Sequence, residues 1–322
     1  MSTESTKKNN DITLDSEQTY DILIIGGGPA GLNAALYSKR KGASVGIIAS
    51  SIGGQVADTS SVENYLGFPS MTGVGLVEEF LNHVKGLNVP TLKDVKVDSI
   101  KTSNNSTIKE VILSNGDTFK AKSLIIATGS KPRKLNVPGE AEFSGKGVSY
   151  CAICDGPFFT DMEVIVAGGG NSAVEAAIDL SKIAKKVKLI HRSQFRADEI
   201  LVNQLENIDN IEIKLNTQIQ EITGDGLVEG VKVLDKSTDT ESTTSGNGVF
   251  IEIGYLPNSD SFKDILEVTD QGYLVVDDYG RTNIDGVFAA GDVTTVPYKQ
   301  IIISAADGAK CALAANDYLN TL

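Results

Sequence analysis

The chain has 322 residues, a net charge of −13 from 29 basic and 42 acidic side chains, 41% hydrophobic residues, 32 glycines, 8 prolines and no tryptophan. The length suits about two domains of ordinary size. The acidic surface disfavours nucleic acid and anionic membranes as partners, because both would repel it. With no long uncharged apolar run, the sequence predicts no membrane span.

Residues 1–19, rich in Ser, Thr, Lys and Asn without an apolar core, read as a disordered tail rather than a secretory signal, with cytoplasmic residence expected. An apolar strand, Asp21–Ile25, then runs into Gly26-Gly27-Gly28-Pro29-Ala30-Gly31, a helix with Leu32, Ala35 and Leu36 at helical spacing, and a second strand, Ser44–Ala49. The glycines at 26, 28 and 31 form a dinucleotide fingerprint: a tight turn, close approach of a pyrophosphate, and close helix–strand packing. The acid expected some 20 residues on, for a ribose hydroxyl, is replaced by Ala49, Ser50 and Ser51. His83 lies in a helical stretch and receives no role. Further strands are predicted at Glu110–Leu113 and Ser123–Ala127.

Cys151-Ala152-Ile153-Cys154-Asp155-Gly156 is the chemical centre. Two thiols at this spacing can close a disulfide across the first turn of a helix, where the positive helix end favours thiolate and exchange. Asp155 beside them is a candidate proton donor or acceptor. A zinc site would need two more ligands, and Cys311, His83 and His191 are distant and unpatterned, so no metal is assigned. An inert buried pair is the other bland alternative.

The opening pattern recurs from Glu163–Ala167 through Gly168, Gly170, Asn171, Ser172 and Ala173, a helix over Val174–Ile183 and a strand over Lys186–Ile190. Here His191, Arg192 and Arg196 stand where a carboxylate would take an adenosine hydroxyl; guanidinium groups suit a 2′-phosphate and favour NADPH over NADH. Strands are predicted at Ile211–Leu215, Gly230–Leu234, Gly248–Ile253 and Gly286–Ala289, a hairpin loop over Lys236–Asn247, and a last helix over Gln300–Leu319 that buries Cys311 as a small core residue. The fold class is α/β, with two Rossmann-like nucleotide-binding domains.

The order of first fingerprint, Gly53-Gly54-Gln55, Glu63-Asn64-Tyr65, Ala127-Thr128-Gly129, the Cys151–Gly156 motif, second fingerprint and Gly291-Asp292 resembles the low-molecular-weight thioredoxin reductases from about Tyr20 to Leu322. The resemblance implies an FAD/NAD(P)-linked disulfide reductase fold with the second domain inserted in the first: 20–128 and 256–322 for FAD, and 129–255 for NAD(P)H and the cysteine pair. It implies FAD contacts from Gly26, Gly28, Gly31, Gln55, Asn64, Thr128, Gly129, Asp292, Gln300 and Ile301. It also implies Cys154 as the thiol nearest the flavin, Cys151 as the thiol that attacks a partner disulfide, Asp155 as the acid, a thioredoxin or thioredoxin-like partner, and a homodimer. Ser193 and Lys299 stand where the family usually has arginines.

Val137-Pro138-Gly139-Glu140, Cys154–Pro157, Glu175–Leu180 and Thr294–Ile303 look like the reductase half of the alkyl hydroperoxide reductase flavoprotein, which is NADH-linked. That half works with a fused thioredoxin-like region, and since only residues 1–19 precede the first strand, a separate protein is expected to take the electrons. The competing expectations are an NADH-linked reductase of a peroxiredoxin- or glutaredoxin-like partner, a reductase with an unconventional donor such as ferredoxin, a flavoprotein without disulfide work, and a non-catalytic nucleotide sensor. Because disulfide and nicotinamide share one domain yet must both reach one flavin, rotation about Gly129–Lys134 and Gly254–Asn258 is expected.

Overall fold

The computed structural model describes residues 13–59, 61–103 and 106–322. The chain divides into two compact units, one formed by the described residues up to Lys131 together with Leu256–Leu322, the other by Pro132–Tyr255. Residues 1–12 of the expected disordered tail lie outside the described residues. Beyond them, Leu14 packs on the core behind the first strand, and the Tyr20 hydroxyl accepts the Asp15 N–H at 2.9 Å.

In the first unit, parallel strands Thr91–Leu92, Val45–Ile52, Thr19–Gly27 and Thr118–Ile126 lie side by side, with Ile22 opposite Val45 on one flank and Ser123 on the other. Antiparallel strands Ser106–Leu113 and Val97–Ser103 extend the sheet, and Val287–Ala289 adds to Thr118–Ile126 in parallel. The central strands are near-continuous Ile, Leu and Val because both faces are covered. Ile22, Ile24 and Ile47 pack with the helices, and Leu23, Ile25 and Ile48 pack with Phe119, Phe262 and Leu274 on the other face.

Helix Pro29–Arg40 and the last helix, Ile301–Leu319, meet at a glycine that the sequence did not single out. A Cβ on Gly308 would stand 2.0 Å from the Ala30 carbonyl oxygen, so only hydrogen fits between the two backbones. Cys311, fully buried, belongs to this seam and lies 3.2 Å from the Ala289 carbonyl.

The second unit repeats the plan. Its parallel sheet runs Ile211–Lys214, Lys186–Ile190, Glu163–Ala167, Gly248–Ile251, Val148–Ser149, with helix Asn171–Ser181 on one face. The other face is covered by an antiparallel sheet of Thr217–Asp225, Leu227–Asp235 and Thr240–Ser245. The last of these corrects the loop expected over Lys236–Asn247. The segment is all Thr, Ser and Glu, yet it pairs from Thr240 opposite Asp235 to Ser245 opposite Gly230, with Thr244 buried. Thr, with its β-branched side chain, suits a mostly exposed strand without producing apolar alternation. Helix Glu199–Glu206, with no counterpart among the expected elements, is only two turns long, too short for its apolar residues to establish a helical period. Among the described residues, no helix is long and apolar enough to cross a membrane.

The Gly308–Ala30 contact gives a direct test. Gly308→Ala should destabilise the chain by about 1–3 kcal/mol through overpacking, read as a lowered midpoint in urea unfolding followed by circular dichroism.

Candidate functional site

Each unit carries a glycine-rich strand-to-helix turn with one glycine facing open space. In the first unit, Gly26 has φ +125, and a Cβ there would stand 2.1 Å from the Ala127 carbonyl oxygen; one on Gly31 would meet the Gly26 carbonyl oxygen at 2.0 Å. A Cβ on Gly28, by contrast, meets nothing within 4 Å. Helix Pro29–Arg40 begins at that open point with no side-chain cap and no acid in its first turn. Unclaimed N–H groups at a bare helix N-terminus fit a pyrophosphate.

Around it the first unit assembles distant predicted residues. Gln55 Nε2 donates to Asp292 Oδ2 at 3.2 Å, and Ser304 Oγ donates to Asp292 Oδ1 at 3.0 Å. Asn64 Nδ2 donates to Gln300 Oε1 at 3.3 Å, and Ile301 opens the last helix beside it. Thr128 and Asn258 exchange hydrogen bonds, Oγ1 to carbonyl at 2.8 Å and Nδ2 to carbonyl at 2.9 Å; Gly129 follows at φ +68 and accepts the Asn258 N–H. Burial raises the Asp292 carboxyl above its ordinary range, against the opposing effects of Ser304, Lys299 and Gln55. Lys299, where an arginine was expected, is lowered by burial, donates to the Thr294 carbonyl at 2.7 Å and lies over the Tyr273 ring. Ser304 and Asn258 had no sequence signal of their own.

In the second unit the same geometry recurs. Gly168 has φ +155, and a Cβ there would stand 2.3 Å from the Glu252 carbonyl oxygen and 2.6 Å from the Cβ of Ala173, which is fully buried. Gly170 faces open space, and helix Asn171–Ser181 starts there without a side-chain cap. Asn171 and Asp198 latch reciprocally, Nδ2 to Oδ2 at 2.8 Å and Asp198 N–H to Oδ1 at 2.9 Å, while Ser172 stays exposed. The Arg196 N–H donates to the Gly169 carbonyl at 2.8 Å, bringing that residue to the fingerprint. Arg192 and Arg196 are exposed; His191 is buried against Gly169, with its Nε2 3.1 Å from Ser193 Oγ. Burial, then the charges of Arg196 and Arg192, depress the imidazole below its ordinary value, so it stands neutral and the two arginines supply the positive charge.

The cysteines of the same unit are joined as a Cys151–Cys154 disulfide. Cys151 is the N-cap of the short helix Ala152–Asp155, and its Sγ accepts the Cys154 N–H at 3.2 Å. Three neighbours absent from the expected site hold this turn. Ser149 Oγ accepts the Cys151 N–H at 3.1 Å and bonds the Asp155 carboxyl. Glu252 Oε1 accepts the Ala152 N–H at 3.3 Å. The Tyr255 hydroxyl donates to the Tyr150 carbonyl at 2.7 Å. Burial raises Asp155 above the ordinary carboxylate range, so it holds a proton at higher pH than a surface acid would. Ile153, between the cysteines, is 64% exposed, leaving an apolar contact beside the disulfide.

Residues 20–309 match the family model described as pyridine nucleotide-disulphide oxidoreductase. The fold resembles the crystal structure of thioredoxin reductase from Streptococcus pyogenes MGAS5005, with a TM-score of 0.89 and 38% identity over 94% of this chain and 99% of that one. It also resembles thioredoxin reductase from Giardia duodenalis, with a TM-score of 0.88 and 36% identity over 94% and 100%. Among curated relatives, an alkyl hydroperoxide reductase of Pseudomonas putida is 44% identical over 95% of this chain, and a protein of Ferdinandcohnia aciditolerans named NADH dehydrogenase is 43% identical over 95%. The chain spans 59% of the length of each of those two relatives. The chain belongs to the pyridine nucleotide-disulphide oxidoreductase family.

The three cysteines should separate chemically. Burial pushes the Cys311 thiol up to about 12, so iodoacetamide at pH 8 should modify Cys151 and Cys154 in the reduced, folded protein and spare Cys311 until the chain is unfolded. Peptide mass mapping before and after denaturation checks this.

Proposed function

We propose, from its place in this family, that the protein is a flavin-dependent disulfide reductase passing electrons from NADPH through FAD to Cys151–Cys154 and on to thioredoxin or a thioredoxin-like protein. The observation that carries the reading is the closed Cys151–Cys154 pair sharing one unit with an intact glycine fingerprint and a half-buried acid, Asp155. FAD, when bound, accepts a hydride from the nicotinamide and supplies an electron pair to the disulfide.

The chain's own part is to bind, orient and manage protons. Gly26, Gly28 and Gly31 admit the FAD pyrophosphate to the helix N-terminus, with Gln55, Asn64, Thr128, Gly129, Asp292, Gln300 and Ile301 around the rest of that cofactor. Gly168, Gly170, Asn171, Ser172 and Ala173 do the same for the nicotinamide dinucleotide, and Arg192 and Arg196, with the neutral His191 behind them, take its 2′-phosphate. Reduction opens the S–S bond with two electrons and two protons. Cys154 faces the flavin, Cys151 attacks the partner disulfide, and Asp155 holds the proton exchanged with the thiols. Rotation of the unit 132–255 about Gly129–Lys134 and Gly254–Asn258 would let disulfide and nicotinamide serve one flavin in turn. Homodimer formation and cytoplasmic residence belong to the same reading.

A second reading has a specific basis. Ser193 stands where a further cation would grip the phosphate, and the curated relatives carry names of alkyl hydroperoxide reductase and NADH dehydrogenase. On that reading NADH is the donor and a peroxiredoxin-linked protein the recipient.

Anaerobic reduction of the purified flavoprotein with stoichiometric NADPH or NADH decides between the two. Rapid bleaching of flavin absorbance by NADPH supports the first reading, preference for NADH the second, and no bleaching by either overturns both. Arg196→Ala should raise the KM for NADPH about tenfold or more while leaving that for NADH nearly unchanged, because one charge-assisted phosphate contact is worth at least about 1.5 kcal/mol. Cys151→Ser should keep flavin reduction and abolish turnover with a disulfide acceptor.

A further inference from the structure

Glu252 follows the strand Gly248–Ile251 and is tied at three points. Its N–H donates to the Ala167 carbonyl at 2.8 Å, closing the end of the parallel sheet. Its carbonyl oxygen occupies the space a side chain on Gly168 would need. Its carboxyl turns to the cysteine turn and accepts the Ala152 N–H, the first amide of the short helix there, at 3.3 Å. One residue therefore braces the nucleotide fingerprint with its backbone and the redox pair with its side chain.

We propose that Glu252 is a positioning residue for the dithiol chemistry: it holds the Cys151–Cys154 turn through the Ala152 amide, and its charge state sets how readily Cys151 forms a thiolate. The proposal rests on the disulfide-reductase reading for its biological meaning, though not for its chemistry. A protonated Glu252 leaves the peptide joined to Cys151 beside a neutral group; an ionised one sets a negative charge there, which opposes a thiolate.

The carboxyl is placed to change state under ordinary conditions. Burial pushes Glu252 up to about 7, and the Ala152 N–H, which favours the anion, only partly opposes this. The other titratable or charged groups on the surrounding elements are few. The cysteine turn carries Asp155, raised by burial and bonded to Ser149. Tyr150, on the segment before it, donates its phenol to Glu140. His191 packs on Gly169 and is held neutral, and the Arg133 side chain lies over Gly254. Burial, rather than any of these charges, displaces Glu252. The sign follows. Below pH 7 the acid is neutral and thiolate formation is unhindered by it; above pH 7 it is ionised and pushes the Cys151 thiol upward. Reduction itself balances as two electrons and two protons for each S–S bond opened, with Glu252 unchanged at the end.

The test uses the FAD-loaded protein reduced with dithiothreitol, so neither a nicotinamide donor nor a protein partner is needed. Iodoacetamide alkylation of Cys151 is timed from pH 5.5 to 9 in the wild type, Glu252→Gln and Asp155→Asn. Glutamine still accepts the Ala152 N–H but cannot ionise. The wild type should show a flattening near pH 7 superimposed on the thiol curve. Glu252→Gln should give a single sigmoid and alkylate about tenfold faster at pH 8, the effect of one unit of thiol pKa. Asp155→Asn should retain the flattening. Superimposable wild-type and Glu252→Gln profiles would overturn the proposal, as would a flattening that vanishes only in Asp155→Asn. Should the glutamine variant fail to fold, a wild-type profile with a single inflection overturns it alone. A changed Glu252→Gln profile together with no reduction of the disulfide by NADPH or NADH would sink the functional reading and leave this one standing.

Discussion

Backbone pressed directly on backbone is the constraint from which both halves of this molecule grow. Where the strand that opens each glycine fingerprint ends, a glycine turns with positive φ against a carbonyl just past the neighbouring strand: Gly26 against Ala127, Gly168 against Glu252. No residue with a Cβ can make that turn without moving the strand beside it. The turn aims the following helix so that its first amides face open space at Gly28 and Gly170. A helix packed on a sheet and a helix N-terminus open to an anion both follow from one contact that leaves no room for a Cβ.

The shared contact makes the two units comparable residue for residue at one place. Ala127 in the first and Glu252 in the second follow equivalent strands and offer the same carbonyl to the same glycine. In the first unit a methyl group completes the position; in the second a carboxyl extends from it to the cysteine turn. The frame is a means of presenting residues, and the chemistry differs because different side chains were set at matching points.

Much of this was legible in the chain because it was local. The glycine fingerprints, the paired cysteines and the buried parallel strands announce themselves within a few residues, and the family resemblance singled out Gln55, Asn64 and Asp292. What bonds them was not legible: Gln55 and Asp292 are separated by 237 positions and meet only through the fold. Thr240–Ser245 hid as a strand because its backbone pairs while its polar side chains, all but Thr244 exposed, give no apolar alternation. Glu252 hid for the opposite reason. An acid at the end of an apolar run reads as the outward-facing end of a strand, and nothing nearby says that its carboxyl turns inward to an amide 100 positions earlier. Gly308 was one glycine among 32 until its neighbour across the helix seam was known.

The places where the chain leaves one unit and returns to it hold a further meaning. Within the first unit, Gly129 and Asn258 are joined by a backbone hydrogen bond; within the second, Arg133 and Gly254 are joined in the same way. Each unit therefore has its two open ends clasped about one strand spacing apart, roughly 5 Å. A short turn could reseal either one, which is the geometry that lets a whole domain be inserted into a surface connection of another. Those two hydrogen bonds close each unit at its own border, so the inner segment leaves and rejoins the outer one at a single matched pair of positions.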